Sequence, residues 1–300
     1  MSNNHPVTAG MIDQLVDLSR RAGAAIMAIY NNRESYNIEH KTDESPLTAA
    51  DLAAHQLISA ELPKLLPVPI ISEEGELPEF VDRQHWDTYW LVDPLDGTKE
   101  FIAGNGQFTV NIALIQANRT RLGVVHVPVT DVTYLGVLDA RDPGSLGAFK
   151  YTQGKNREPI SVRSLQERFS EARAFTVLLS HRHGTQETMD LMTAITRRWP
   201  GEIETTNAGS SLKFCVIAEG RADFYPRLAP TSEWDTAAAQ AVLEAAGGRV
   251  VRATPDLPAL VYNLGDDLLN PHFYALGDKH FDWEGLLSGE KVSSGKFFAS

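Results

Sequence analysis

Apolar positions recur at helical spacing at the start of the chain, where Ile12, Leu15, Val16, Ala22, Ile26 and Ile29 share one face and predict an amphipathic helix over 9–31. Thr48-Ala-Ala-Asp51 reads as a capping box opening a second helix through Leu52 and Leu57 towards Leu62, with prolines 63, 67 and 69 ending it. Two short apolar runs, Val68–Ser72 and Tyr89–Val92, predict strands that each deliver acidic residues at their C-terminal end. Thr109–Gln116, Leu122–Val127 and Thr133–Val137 add strands at hairpin-like intervals. The first half is expected to be helices against a largely antiparallel sheet.

Beyond a polar, basic stretch from Lys150 to Glu171 the pattern alternates: strand Phe175–Leu179, helix Thr185–Arg198, strand Ile203–Thr206, helix Ser210–Glu219, strand Ala222–Tyr225. A helix over Asp235–Ala246 follows, stopped by Gly247-Gly248, with short strands expected near Val250 and Val261. The chain thus divides into an α+β part over 1–150, an α/β part over 151–276, and a loosely held tail over 277–300 where periodicity is lost.

Composition is that of an ordinary globular chain, 43% hydrophobic and 22% charged over 300 residues. The net charge of −12 argues against a nucleic-acid polymer as partner, because phosphate backbones are bound through clustered Lys and Arg. A small phosphate ester remains compatible with it, since bound divalent cations invert the local sign. The single cysteine, Cys215, forms no internal disulfide and reads as a packing residue among Leu212, Phe214, Val216 and Ile217. Cytoplasm is the expected compartment: Met1–Gly10 lacks a signal-peptide layout and no apolar run approaches bilayer-spanning length, with peripheral attachment to the cytoplasmic face of a membrane left open.

Chemistry concentrates in Trp90-Leu-Val-Asp93-Pro-Leu-Asp96-Gly-Thr98, where a strand is expected to run into a turn nucleated by Pro94. Gly97, free to take unusual φ, lets both carboxylates and the Leu95 carbonyl point one way, which suits a hard cation such as Mg²⁺. The N–H groups of Gly97 and Thr98 are placed to cradle a phosphate oxygen. Ser72-Glu73-Glu74-Gly75 ends another strand, so its acids can converge on the same rim. Taken alone, Asp235 is an ordinary helix N-cap, Asp51 a capping-box residue, and Gly209-Ser210-Ser211 a helix cap beside a solvated Lys213.

In this order Asp51, Glu73-Glu74, Asp93-Pro-Leu-Asp96-Gly-Thr98 and Trp234-Asp235 resemble the inositol monophosphatase superfamily of Mg²⁺-dependent, lithium-sensitive phosphatases. Thr98-Lys-Glu-Phe-Ile, Phe108-Thr-Val-Asn-Ile-Ala-Leu-Ile, Gly209-Ser-Ser-Leu-Lys-Phe-Cys and Tyr225-Pro-Arg227 resemble its 3′(2′),5′-bisphosphate nucleotidase branch. The resemblance implies a layered αβαβα sugar-phosphatase fold (α+β against α/β) with the site in the cleft between the halves. It implies two or three Mg²⁺ ions, with Glu73, Asp93, the Leu95 carbonyl and one Asp96 oxygen as ligands and Asp235 completing the second site. Asp51 and Thr98, with Glu73, would orient and activate the attacking water. Glu73, Leu95, Asp96, Gly97, Thr98 and Asp235 would meet the substrate on the metal side, and Gly209, Ser210, Ser211, Lys213 and Arg227 on the nucleotide side. His183, which follows the strand expected at Phe175–Leu179, is placed either to stack on or bond to the nucleotide or to lie on the surface.

The reaction expected from this resemblance is hydrolysis of adenosine 3′,5′-bisphosphate to AMP and phosphate, recycling a by-product of sulfate assimilation, by a monomer or homodimer. A phosphatase of the same superfamily acting on inositol monophosphate or fructose 1,6-bisphosphate is the nearest rival. A non-catalytic metal- or nucleotide-binding regulator is the rival from another class.

Overall fold

The computed structural model describes residues 7–31, 38–40, 46–139, 146–179 and 186–288. His183, Thr185 and the tail beyond 288 therefore lie outside the described residues.

Helix α1 (Ala9–Tyr30) begins at Thr8, whose hydroxyl accepts from Met11 N at 3.2 Å. Strands β1 (Ile38–His40) and β2 (Pro46–Thr48) pair antiparallel and lead into α2 (Ala49–Leu65). Pro63 lies inside this helix rather than ending it, since one missing N–H in the last turn forfeits a single bond, and Leu66 N still reaches Leu62 O at 3.0 Å.

A seven-stranded sheet follows in chain order: β3 (Ile70–Ser72), β4 (Thr88–Asp96), β5 (Thr109–Gln116), β6 (Arg119–Val127), β7 (Val132–Val137), β8 (Gly147–Thr152) and β9 (Asn156–Ile160). Helices α3 (Phe80–Arg83) and α4 (Thr98–Ala103) interrupt it. The β3–β4 pair is parallel and every other pair antiparallel, as expected of the first half. The sheet runs past residue 150, because the expected linker contains the end of β8, then β9 and helix α5 (Leu165–Ser170). Strand β9 is an exposed edge without an apolar face, so no period-2 signal marks it.

The second sheet has the order β11–β10–β12–β14–β13, built from β10 (Phe175–Leu179), β11 (Ile203–Asn207), β12 (Phe224–Arg227), β13 (Arg249–Arg252) and β14 (Phe273–Leu276). Helices α6 (Gln186–Arg198), α7 (Leu212–Ala218), α8 (Ala237–Ala245) and α9 (Trp283–Ser288) complete the chain. The strand expected near Val261 does not form. Ala259 makes only an isolated bridge to Val251, and the fifth strand is β14.

Alternation along the strands sorts side chains into layers. Trp90, Val92, Ile112 and Leu114 pack with α1 and α2, whereas Tyr89, Leu91, Ala113 and Ile115 face α7 and α8. On the second sheet Tyr225 and Ala275 join that central helical layer, while Phe224 and Leu276 turn outward to α6 and α9. The result is the expected αβαβα stack, and strands buried on both faces read as near-continuous apolar runs. Residues 277–288 are part of this packing and not a loose tail: Trp283 and Leu286 are buried against Phe175 and Phe224. No described helix is long and apolar enough to cross a membrane.

Candidate active site

Parallel pairing in the register Ser72↔Val92 places the residues after β3 beside the C-terminal end of β4. Glu73 N donates to Val92 O at 3.2 Å, which seats the Glu73 turn next to Asp93. Between Asp93 and Asp96 the register slips, with Asp93 opposite Asn111 and Asp96 opposite Thr109, so β4 carries one extra residue. The segment expected as a free Pro94 turn is thus a bulged strand end, where proline's missing N–H is tolerated.

Leu95 N donates to Asp93 Oδ1 at 3.0 Å, and the Thr98 hydroxyl lies 3.5 Å from the Leu95 carbonyl. Gly97 takes φ of 92°, a conformation that suits glycine, and starts α4. Asp235 comes from the other half. It closes a 3₁₀ turn over Glu233–Asp235, with Ser232 N donating to its Oδ2 at 2.9 Å, and α8 starts only at Ala237. The expected Asp235 helix cap is therefore a capping box on a separate turn. Behind it Glu233 accepts from Asn263 N at 2.8 and 2.9 Å, and buried Arg83 donates to the Asn263 side chain and to Asp266 O. Nothing in the local sequence signals this support, whose parts are far apart in the chain.

Glu73, Asp93 and Asp235 bring carboxylate oxygens within 4.8 Å of one another. Burial foremost, then Glu73, Asp96, Asp235 and Asp51, push the Asp93 pKa well above the ordinary carboxylate value. Burial likewise raises Asp235, helped by Asp96 and Glu73 and opposed by the Ser232 N–H and Arg227. The charged neighbours that act most on Asp93 are carboxylates, so the cluster stores repulsion that a cation relieves. A crowded all-oxygen donor set of this kind fits a hard divalent ion such as Mg²⁺. Asp51, fully buried in the first turn of α2, belongs to the same field and is more than a cap.

Asp96 stands beside these three rather than among them. Its Oδ2 accepts from Ser210 Oγ, from Ser211 N at 2.8 Å and from Asn111 Nδ2 at 3.3 Å, and lies 2.9 Å from Ser211 Oγ. Thr109 Oγ1 lies 2.8 Å from Ser210 Oγ. The predicted 210–219 helix is shorter, Leu212–Ala218, and Ser211 makes no capping bond. Thr109 and Asn111 were missed as site residues. Their signal is two polar side chains two apart, hence on one face, in an otherwise apolar strand.

A cleft of about 220 Å³ opens here, lined by Asp96, Gly209, Ser210, Lys213, Arg227 and Asp235 among others. Gly209 is required by close approach: a Cβ there would sit 2.7 Å from Gln107 Cβ and 2.8 Å from its carbonyl. Lys213 is buried, with Nζ 3.3 Å from Ser210 O and 5.2 Å from the Tyr225 ring centroid. Burial lowers its pKa to about 8, with Asp96 opposing. Arg227, at the end of β12, donates to Ala229 O at 3.2 Å and Pro230 O at 2.9 Å. Cys215 is buried and its thiol pKa is raised by that burial, as a packing residue requires.

Residues 8–279 match the inositol monophosphatase family. The chain is 44% identical over 267 residues to the 3′(2′),5′-bisphosphate nucleotidase CysQ of Escherichia coli K12, covering 88% of this chain and 98% of that protein. It is 39% identical over 268 residues to the same-named protein of Buchnera aphidicola, covering 88% and 93%. Among solved structures, CysQ from Bacteroides thetaiotaomicron superposes with a TM-score of 0.75 at 37% identity, covering 91% of this chain and 98% of that one.

Proposed function

Because the chain belongs to the inositol monophosphatase family, we propose that it is a 3′(2′),5′-bisphosphate nucleotidase that hydrolyses adenosine 3′,5′-bisphosphate to AMP and phosphate. The observation that carries this reading is one cleft holding two kinds of anion site. Asp235 of the carboxylate cluster lines it together with Asp96, and the cationic side chains of Lys213 and Arg227 line the same space. A single phosphate needs only the first. The second suits a further phosphate.

Glu73, Asp93, Asp235 and the Leu95 carbonyl, with Asp96 through one oxygen, would hold Mg²⁺ at two or more positions. When bound, such ions lower the pKa of water and neutralise charge on phosphoryl oxygens. Asp51 and Thr98 would orient the attacking water and take its proton. Lys213 and Arg227 would fix the phosphate that is not cleaved, and the Gly97 and Thr98 N–H groups would meet the one that is. That hydrolysis would recycle a by-product of sulfate assimilation, as the family resemblance implies.

The test is Arg227→Ala assayed on two substrates. For adenosine 3′,5′-bisphosphate kcat/KM should fall roughly ten- to a hundredfold, at ~1.4 kcal/mol per decade, while adenosine 3′-monophosphate should be nearly unaffected. An equal fall on both would mean that Arg227 supports the fold, through the 227–230 loop its guanidinium holds, or the metal site, and would remove the bisphosphate reading's main support.

A further inference from the structure

The residues around Asp96 divide into two sets, those that face the cleft and those behind it. Ser210 lines the cleft, but Ser211 and Asn111 do not; both are 1% exposed. Ser211 Oγ lies 2.9 Å from Asp96 Oδ2 and 2.7 Å from the Asp235 carbonyl oxygen, and accepts from Asn111 Nδ2 at 2.9 Å. Asn111 Nδ2 also reaches Asp96 Oδ2 at 3.3 Å. One buried hydroxyl therefore touches the side chain of one acidic residue and the backbone of another, and these two come from opposite halves of the chain.

We propose that Ser211 and Asn111 are positioning residues for the metal ligands Asp96 and Asp235, and that Ser211 does not contact substrate. The inference rests on the metal-site reading above. A carboxylate oxygen has room for about two strong donors, and Oδ2 already receives Ser210 Oγ, Ser211 N and Asn111 Nδ2. Oδ1 is then the oxygen left for a cation. The terminal torsion of an aspartate is broad and roughly two-fold, so a carboxylate without such partners swings freely. Fixing Oδ2 fixes where Oδ1 points, and the bond to the Asp235 carbonyl holds the spacing to the 3₁₀ turn.

Outer partners of metal ligands typically set affinity by ten- to a hundredfold. Mg²⁺ binding to chelator-treated protein, measured by titration calorimetry without nucleotide, should weaken by about tenfold or more in Ser211→Ala and in Asn111→Ala. The double variant should lose less than the product of the two, because the Asn111 amide also holds the Ser211 hydroxyl. At saturating Mg²⁺ the KM for adenosine 3′,5′-bisphosphate should stay within about twofold of wild type, and Ser211→Thr, which keeps the hydroxyl, should recover Mg²⁺ affinity. Unchanged Mg²⁺ affinity with a raised KM in Ser211→Ala would overturn the proposal and return Ser211 to the substrate. If Ser211→Ala does not fold, Asn111→Ala carries the same expectation with Ser211 intact. Wild-type protein that binds no Mg²⁺ would sink the inference together with the metal site. Ser211-dependent Mg²⁺ binding without bisphosphate turnover would support the inference and remove only the substrate reading.

Discussion

Asp93 concentrates the charge conflict of the site: it is 1% exposed, bonded to Leu95 N, and surrounded by carboxylates. Asn in its place keeps an oxygen for Leu95 N and removes one charge from a self-repelling group. Asp93→Asn should therefore lower kcat by roughly a hundredfold or more, as loss of several kcal/mol of metal-borne stabilisation implies. The melting temperature of the metal-free variant should not fall below that of metal-free wild type. Near-normal turnover at saturating Mg²⁺, or a lower metal-free melting temperature, would contradict the assignment. Glu73, Asp93 and Asp96 are readable in the sequence because they sit at strand ends. The Asp96–Ser211 bond is not, since its partners are 115 positions apart and each has an adequate local explanation as turn or cap.

At the scale of elements, α8 lies so close to the first sheet that only glycine fits beneath it. A Cβ on Gly123 would stand 2.2 Å from Ala238 O, and one on Gly136 2.3 Å from Ala241 O. Gly136→Ala should destabilise the fold by about 1–3 kcal/mol, read as a lower urea midpoint, and an unchanged midpoint would contradict this packing. The α8 pattern is legible in the sequence as a helix, and α1 ends within a residue of its expected boundary. The glycines carry no such signal, because an intimate contact leaves no periodicity.

On the opposite face, His126 is buried beside Gly23 of α1, with Nδ1 2.8 Å from Thr133 Oγ1. Burial, with a smaller push from Arg20 and against Asp131 and the Val132 backbone, lowers its pKa to about 4. Above pH 6.5 neither the folded nor the unfolded chain protonates this residue. Between 6.5 and about 4 the unfolded chain takes a proton that the folded chain refuses, so stability falls as pH drops, by at most ~3 kcal/mol. His126→Asn should reduce the loss of urea midpoint between pH 7 and pH 4.5. An equal loss in both proteins would show that other groups cause it.

The whole molecule is a stack of five layers whose two sheets turn opposite faces onto one central pair of helices. Its layer order is legible only through the family resemblance, whereas the strands buried on both sides announce themselves as apolar runs. The limits of its parts are less so. The expected division at 150 falls inside β8, because β9 is polar, and Trp283 anchors a segment that lacks helical period until α9. The cleft between the halves needs both of them, with carboxylates from β4 and the 3₁₀ turn and cations from α7 and β12. That union should select a nucleotide with two phosphates. Phosphate release with Mg²⁺ should be compared across adenosine 3′,5′-bisphosphate, inositol 1-phosphate and fructose 1,6-bisphosphate. For the adenosine bisphosphate kcat/KM should be at least about tenfold higher, abolished by EDTA and restored by Mg²⁺. Equal or faster turnover of either other ester, or turnover that persists in EDTA, would contradict it.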